Sequence, residues 1–229
     1  MKYKALFFDL DDTLWAYTQN AEETFREVYD LHQLGRYFIS FEHFHSLYLE
    51  KNKEMWNAYG RGMIDRTTLD GERFRYPLER VGVYDADLVQ SYSTSFFERI
   101  VQQKRLMPGA MAVLEKLYPH YPLYIISNGF SDLQSKKMEA AGIHSFFEEL
   151  ILSDVVGYNK PHSKIFLEAL KTAQVSPKEA LMIGDNWNAD ICGAKQVGID
   201  QVYLGAAVER DFEATYSIEH LEDLLGILK

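Results

Sequence analysis

Hydrophobic and polar positions follow two regimes along this chain. From Tyr3 to Phe8 the residues are apolar or aromatic apart from Lys4, a run short enough to be a buried strand, and it ends abruptly at Asp9, Asp11 and Asp12. From about Asn20 to Gln103 the period becomes helical and no strand-like run occurs. Ala21, Phe25 and Val28 share one helix face. Phe44, Leu47, Tyr48, Lys51 and Met55 share another, with Lys51 at its margin, and Leu88, Tyr92, Phe96 and Ile100 a third. Gly60-Arg61-Gly62 reads as a turn before a helix from about Asp65 to Arg80. Leu34-Gly35 and Val81-Gly82 read as helix stops. The block predicts a bundle of about four helices.

Pro108-Gly109 opens a second pattern, in which strands alternate with helices. Met111, Leu114 and Leu117 mark a helix, and Leu123 to Ile126 a buried strand that ends in Ser127-Asn128-Gly129. A helix follows from about Ser131 to Ala141, then a short strand from Leu150 to Leu152. Lys160-Pro161 precedes a helix carrying Ile165, Phe166, Ala169 and Leu170, and Ser176-Pro177 reads as an N-cap with proline at the first helical position. Leu181 to Ile183 is a strand ending in Gly184-Asp185, followed by a helix from about Ala189 to Val197 and a strand from Gln201 to Leu204. The last helix is expected to start near Ser217 and to carry Ile218, Leu221, Leu224 and Leu225. This alternation implies right-handed crossovers and an α/β fold, a doubly wound parallel sheet with an inserted α-helical cap domain. The expected boundaries are 1–15 and 104–229 for the α/β core and 16–103 for the cap.

Length and composition agree with that division. The chain has 229 residues, enough for one large domain or a core with an insert, and 47% of them are hydrophobic, enough to bury a sizeable core. A net charge of −10 disfavours a nucleic-acid polymer as partner. It leaves a phosphate substrate open, because a bound cation would dominate the local field. No apolar run approaches the roughly 20 residues that span a bilayer, and no signal-type apolar stretch opens the chain. The single cysteine, Cys192, excludes an internal disulfide and fits a reducing, cytoplasmic setting. In its Ala/Gly-rich helix start it is expected as a small buried residue.

The chemistry gathers at predicted strand ends, where open parallel sheets place their ligands. Asp9 and Asp11 flank one residue, so both can converge on one bound group, and two carboxylates that close repel unless a cation or a proton separates them. Such a pair suits a nucleophile beside an acid/base, with Mg²⁺ holding the first. Thr13 offers a hydroxyl and a backbone N–H to an anion. Ser127-Asn128-Gly129, Gly184-Asp185 and Lys160 supply the donors and the cation that phosphoryl transfer requires. Each piece also has a plain reading: an acidic loop, an ordinary turn, a solvated lysine, and Asp185 and Asp190 as helix caps. Their joint occurrence in this order favours the site.

In this order the residues resemble the haloacid dehalogenase (HAD) superfamily, whose pattern is matched by Asp9-Leu10-Asp11-Asp12-Thr13, Ser127, Lys160 and the run from Gly184-Asp185 to Asp190. The resemblance implies Asp9 as the nucleophile that becomes an aspartyl-phosphate and Asp11 as the acid/base. It implies Mg²⁺ held by Asp9, the Asp11 backbone carbonyl and Asp185. Ser127 and the Asn128 N–H would bind phosphoryl oxygens, and Lys160 would pair with both Asp9 and the phosphoryl group. Thr13 and Asp190 would stand behind these, Asp190 through a metal-bound water or Lys160. A carboxylate at Asp11 favours a phosphatase or phosphomutase over a dehalogenase, because an alkoxide leaving group needs a proton.

The insert is similar to the bacterial pyrimidine 5′-nucleotidase branch at Asn52-Lys53-x-x-Trp56 and at Gly62 with the following Arg73-Phe74, as is the core at Asn128-Gly129-Phe130 with Leu133-Gln134. Trp15 and Trp56 would stack on a base while Asn52 and Lys53 meet its polar edge or the ribose; the plain reading is that an aromatic at helical spacing is usually core. The expected activity is Mg²⁺-dependent hydrolysis of a small phosphorylated metabolite, a nucleoside 5′-monophosphate, by a monomer or homodimer. The alternatives are a sugar-phosphate phosphatase or a phosphomutase, and behind them a dehalogenase or a non-catalytic binding protein.

Overall fold

The computed structural model describes residues 2–206 and 213–228. The chain divides into two compact units, one made of the residues up to Tyr17 together with those from Lys104 on, the other of Thr18–Gln103.

β1 (Ala5–Phe8) is buried along its whole length, as its apolar run requires. Four helices then carry the insert: α1 (Tyr17–Leu31), α2 (Phe41–Gly60), α3 (Arg66–Arg80) and α4 (Ala86–Ile100). The side chains of Ser40, Asp65 and Asp85 cap the starts of α2, α3 and α4 by accepting N–H groups of His43, Thr68 and Leu88. An aromatic core holds these helices together. Phe25 lies 4.2 Å from the ring centroids of both Phe96 and Tyr48, and the Tyr92 hydroxyl donates to the Phe74 carbonyl.

The second regime folds as α5 (Ala110–Leu117), β2 (Leu123–Ser127), α6 (Ser131–Ala140), β3 (Glu149–Leu152), α7 (Ser153–Val156), α8 (Ser163–Ala173) and β4 (Ala180–Gly184). A π-helical turn (Trp187–Cys192) leads into α9 (Gly193–Gln196), then β5 (Asp200–Leu204), β6 (Tyr216–Ile218) and α10 (Leu224–Ile227). The six strands form one parallel sheet in the order β3-β2-β1-β4-β5-β6. Alternate residues Ala5, Phe7, Tyr124, Ile126, Ala180 and Met182 line one face, against Ile165, Phe166 and Ala169 of α8 and Ala194 of α9. Each large apolar side chain buried this way contributes about 1.5–3 kcal/mol.

Two expectations need correction. The last helix does not begin near Ser217: Tyr216–Ile218 is a strand paired with β5, Leu204 opposite Ile218, and the helical turns start only at Leu221. Three residues are too few to display a period of two, whereas Ile218, Leu221, Leu224 and Leu225 fit a helical period. The open edge of β5 decided the outcome. Cys192 is half-buried rather than buried, with its sulfur 4.0 Å from Asn188 Oδ1 one turn earlier. No helix among the described residues is long and apolar enough to cross a membrane.

Candidate active site

Strand register sets the site. Phe8 of β1 is level with Ile125 of β2 and Ile183 of β4, so Asp9, Ser127 and Asp185 emerge side by side at the carboxyl edge. The chain crosses to the other side of β1 between β3 and β4, which makes this edge the topological switch point where doubly wound sheets bind ligands. Asp12 takes a left-handed φ of 62° and donates its N–H to the Trp15 carbonyl at 2.7 Å. Aspartate tolerates that conformation, and the turn pins the loop carrying Asp9, Asp11 and Thr13.

A buried lysine organises the floor. Lys160 Nζ lies 2.5 Å from Asp9 Oδ1 and 2.7 Å from Asp190 Oδ1, and it donates to the Ile126 carbonyl at 2.7 Å. Three oxygens thus surround an ammonium that has three protons to give. The Asp190 carboxylate also accepts the Asn186 N–H through Oδ2, and a Cβ on Gly184 would overlap it, so glycine leaves the room it needs. The backbone of Lys160 is gripped from the neighbouring loop. Its N–H donates to Asn128 Oδ1 at 2.7 Å and its carbonyl accepts from Asn128 Nδ2 at 3.0 Å.

The carboxylates outnumber this cation. Oxygens of Asp9, Asp185 and Asp190 all lie within 4.8 Å of one another. Burial pushes the Asp9 carboxyl up to about 7, with Lys160 opposing the rise and Asp190 adding to it. Asp185 is likewise raised to about 7, by burial first and then by the charge on Asp9. Asp190 is raised by burial against the pull of Lys160. For Lys160, burial alone would lower the pKa, but Asp190 and Asp9 together hold it above the usual lysine value. Three carboxylates around one ammonium leave two negative charges unbalanced, the charge of one hard divalent cation with oxygen ligands. The donor set therefore fits Mg²⁺. Asp190 is fully buried behind Lys160, whereas Asp9 and Asp185 each keep some exposed surface, which makes those two the carboxylates better placed to ligate.

Ser127 and Asp11 occupy the other side. Ser127 Oγ accepts from the Gly129 N–H at 3.0 Å and from Gln134 Nε2 at 2.7 Å, so both lone pairs are used and its proton is left for an incoming oxygen. Gln134 Nε2 also donates to Asp11 Oδ2 at 2.8 Å, while Lys137 Nζ lies 3.0 Å from Asp11 Oδ1.

Residues 3–198 match the family model of the haloacid dehalogenase-like hydrolases. The chain belongs to this family. It is 31% identical to the pyrimidine 5′-nucleotidase YjjG of Escherichia coli, over 100% of this chain and 99% of that protein. It is 36% identical to a glyceraldehyde 3-phosphate phosphatase of Pyrococcus abyssi, over 99% of this chain and 94% of that one. Its structure is similar to that of the Bacillus subtilis HAD-hydrolase YfnB bound to magnesium, with a TM-score of 0.87 and 27% identity over 100% of this chain and 99% of that one.

Within this HAD-like hydrolase, Asp9, Asp11, Thr13, Ser127, Asn128, Lys160, Asp185 and Asp190 meet at one sheet edge. Trp15 does not offer a base both faces of its ring. It is buried, and the Lys137 ammonium sits 4.6 Å from its ring centroid. In the helical unit, Asn52 and Trp56 lie one turn apart on α2. The Asn52 carbonyl oxygen accepts from the buried Arg73 at 3.0 Å and from the Tyr48 hydroxyl at 3.3 Å. Arg73 pairs in turn with Asp70 at 2.5 Å, and its guanidinium lies 5.7 Å from the half-buried Trp56 ring. Lys53 is exposed.

Sequence reasoning overlooked three contributions: the Asn128 side chain, Gln134 as a bridge, and Lys137. The available signal was a glutamine and a lysine three apart on a helix whose other buried residue is Met138. A polar pair at that spacing also describes an ordinary solvated face.

Proposed function

We propose that this chain is a Mg²⁺-dependent phosphatase of small phosphomonoesters that works through an aspartyl-phosphate on Asp9. The observation that carries the reading is the separate holding of two carboxylates only two residues apart. Asp9 lies against Lys160 and near Thr13, while Asp11 is held by Gln134 and Lys137. Groups so differently surrounded can serve as nucleophile and as acid/base at one phosphorus.

In the first step an Asp9 oxygen bonds to phosphorus, the bond from phosphorus to the ester oxygen breaks, and Asp11 gives that oxygen its proton. In the second, Asp11 takes a proton from water, the water oxygen bonds to phosphorus, and the bond to Asp9 breaks, releasing phosphate. The Ser127 hydroxyl, the Asn128 N–H and Lys160 hold the phosphoryl oxygens, and Lys160 balances charge on Asp9 throughout. Bound by Asp9, Asp185 and the Asp11 carbonyl, Mg²⁺ would supply neutralisation of the phosphoryl charge. Thr13 and Asp190 keep Asp185 and Lys160 in place. A phosphomutase would share these residues but return the phosphoryl group to a sugar.

The preferred leaving group in this proposal is a nucleoside, with Trp56 as the base-stacking ring and Asn52 and Lys53 as polar contacts. Support comes from the half-buried Trp56 beside Arg73 and from the nucleotidase relative. A short sugar phosphate is the second reading, supported by the 36% identity to a glyceraldehyde 3-phosphate phosphatase. The experiment is a kcat/KM panel, with Mg²⁺, of nucleoside 5′-monophosphates, glyceraldehyde 3-phosphate, hexose phosphates and p-nitrophenyl phosphate, in wild type and Trp56→Ala. Stacking is worth roughly 1–3 kcal/mol per base, so nucleotides should lose about tenfold or more in the variant while p-nitrophenyl phosphate loses little. Preference for glyceraldehyde 3-phosphate, or equal slowing of every substrate, rejects the nucleotide reading. Release of no phosphate from any ester rejects the phosphatase.

A further inference from the structure

The α6 helix presents two polar side chains to the interior where apolar ones would be ordinary: Gln134 is fully buried and Lys137 is 5% exposed. A buried ammonium is costly unless it is paired, and among the described residues the carboxylate that pairs with Lys137 is that of Asp11, 3.0 Å away. The rings of Trp15 and Tyr17 also flank it, with centroids 4.6 Å and 5.3 Å away. Gln134, one turn earlier, donates to the other oxygen of the same carboxylate at 2.8 Å. Both oxygens of Asp11 are therefore held by one helix.

We infer that Gln134 and Lys137 clamp the Asp11 carboxylate in place for proton transfer and so act as positioning residues of the reaction; the inference rests on Asp11 being the acid/base proposed above. A side chain with two rotatable bonds, on a loop, is otherwise free to turn away from the leaving oxygen. Two donors on separate oxygens remove that freedom, and orientation of a reacting group accounts for much of its catalytic effect. Gln134 does more than hold one end. Its single amide nitrogen donates to Asp11 and to Ser127 Oγ together, so the acid/base and the phosphoryl-binding hydroxyl are tied to a common point. Gly129 is the space this requires: a Cβ there would overlap the Gln134 amide, which cannot shift without giving up both hydrogen bonds. The side chain of Asp11 keeps 28% of its surface exposed, so the clamp leaves it accessible.

The test compares wild type, Asp11→Asn, Lys137→Met and the double variant Asp11→Asn/Lys137→Met in saturating Mg²⁺. The substrates are p-nitrophenyl phosphate, whose leaving group needs no proton, and the best alkyl phosphate of the panel, whose leaving group does. Lys137→Met is expected to cut kcat/KM for the alkyl phosphate about 10- to 100-fold and that for p-nitrophenyl phosphate less than about threefold. In the Asp11→Asn background it should cost less than about twofold further, because a residue acting through Asp11 has nothing left to act on. If Lys137→Met melts below the assay temperature, Lys137→Gln, which keeps a donor of similar length, carries the same comparison and should show a smaller loss with the same leaving-group dependence. Equal loss on both substrates, no loss, or full additivity with Asp11→Asn overturns the clamp. Absence of leaving-group dependence in Asp11→Asn itself overturns instead the acid/base role on which the clamp depends.

Discussion

Thr13 and Asp185 bond each other twice across 172 residues of sequence: the Thr13 hydroxyl donates to Asp185 Oδ1 at 3.0 Å and accepts the Asp185 N–H at 3.1 Å. The same hydroxyl lies 3.4 Å from Asp9 Oδ2, so it fixes the spacing of the two carboxylates best placed to hold a cation. Thr13→Val keeps the shape, leaves the Asp185 amide without its acceptor, and should cost about 1–3 kcal/mol of stability. Mg²⁺ should also bind more weakly, as the rise in melting temperature across a Mg²⁺ titration will show. Thr13→Ser should behave as wild type. Unchanged stability and Mg²⁺ response in the valine variant would remove this role.

The carboxyl pKa values couple metal binding to pH. Asp9 and Asp185 are raised from 3.8 to about 7 in the folded protein, chiefly by burial. Between those values the metal-free folded state holds protons that the unfolded chain has released. Its stability from these groups is therefore full below about pH 4, falls as pH rises to about 7, and is level above. Mg²⁺ must displace the same protons, so its stabilising effect should grow with pH across that window. The gain in melting temperature at saturating Mg²⁺ is expected to be larger at pH 8 than at pH 5.5. Each kcal/mol of extra stabilisation appears as roughly 2–4 °C for a chain of this size. A gain that shrinks with rising pH would contradict the proton–metal competition.

Lys160 separates stability from activity. Replacing it with methionine leaves Asp9 and Asp190 facing each other in a buried place, and breaking such a pair from one side costs about 3–5 kcal/mol. Adding Asp190→Asn removes one stranded charge and should recover a large part of that loss in urea denaturation. Hydrolysis should stay abolished in both variants, because the phosphoryl group has lost its cation. A double variant no more stable than Lys160→Met would show that the cost lies in packing rather than charge.

Asp9, Ser127 and Asp185 were legible because each stands at the end of a strand, where a short apolar run stops at a polar residue, and Asp11, Lys160 and Asp190 because they lie in the turns around those ends. Asp9, Ser127 and Asp185 need only a parallel sheet and its register to come together. The contacts of Gln134 and Lys137 with Asp11 were not legible, although Gln134 stood in the run that resembles the nucleotidase branch: on a helix of mixed character, nothing local says which turn faces inward. Lys53 and Asn52 are neighbours in sequence, yet one is exposed and the other is bonded to Arg73.

By itself, the sequence determined the alternation of strands and helices, the place of the helical insert and the polar residues that gather at the strand ends, because periodicity and strand ends are properties of neighbouring residues. The tertiary structure decided that Tyr216–Ile218 pairs as a strand, that the Lys137 ammonium takes one face of the Trp15 ring, and that Asp11 is held through both oxygens by α6. Those outcomes turn on contacts between residues up to 126 positions apart, and whether a polar side chain is solvated or buried depends on what the rest of the fold brings against it.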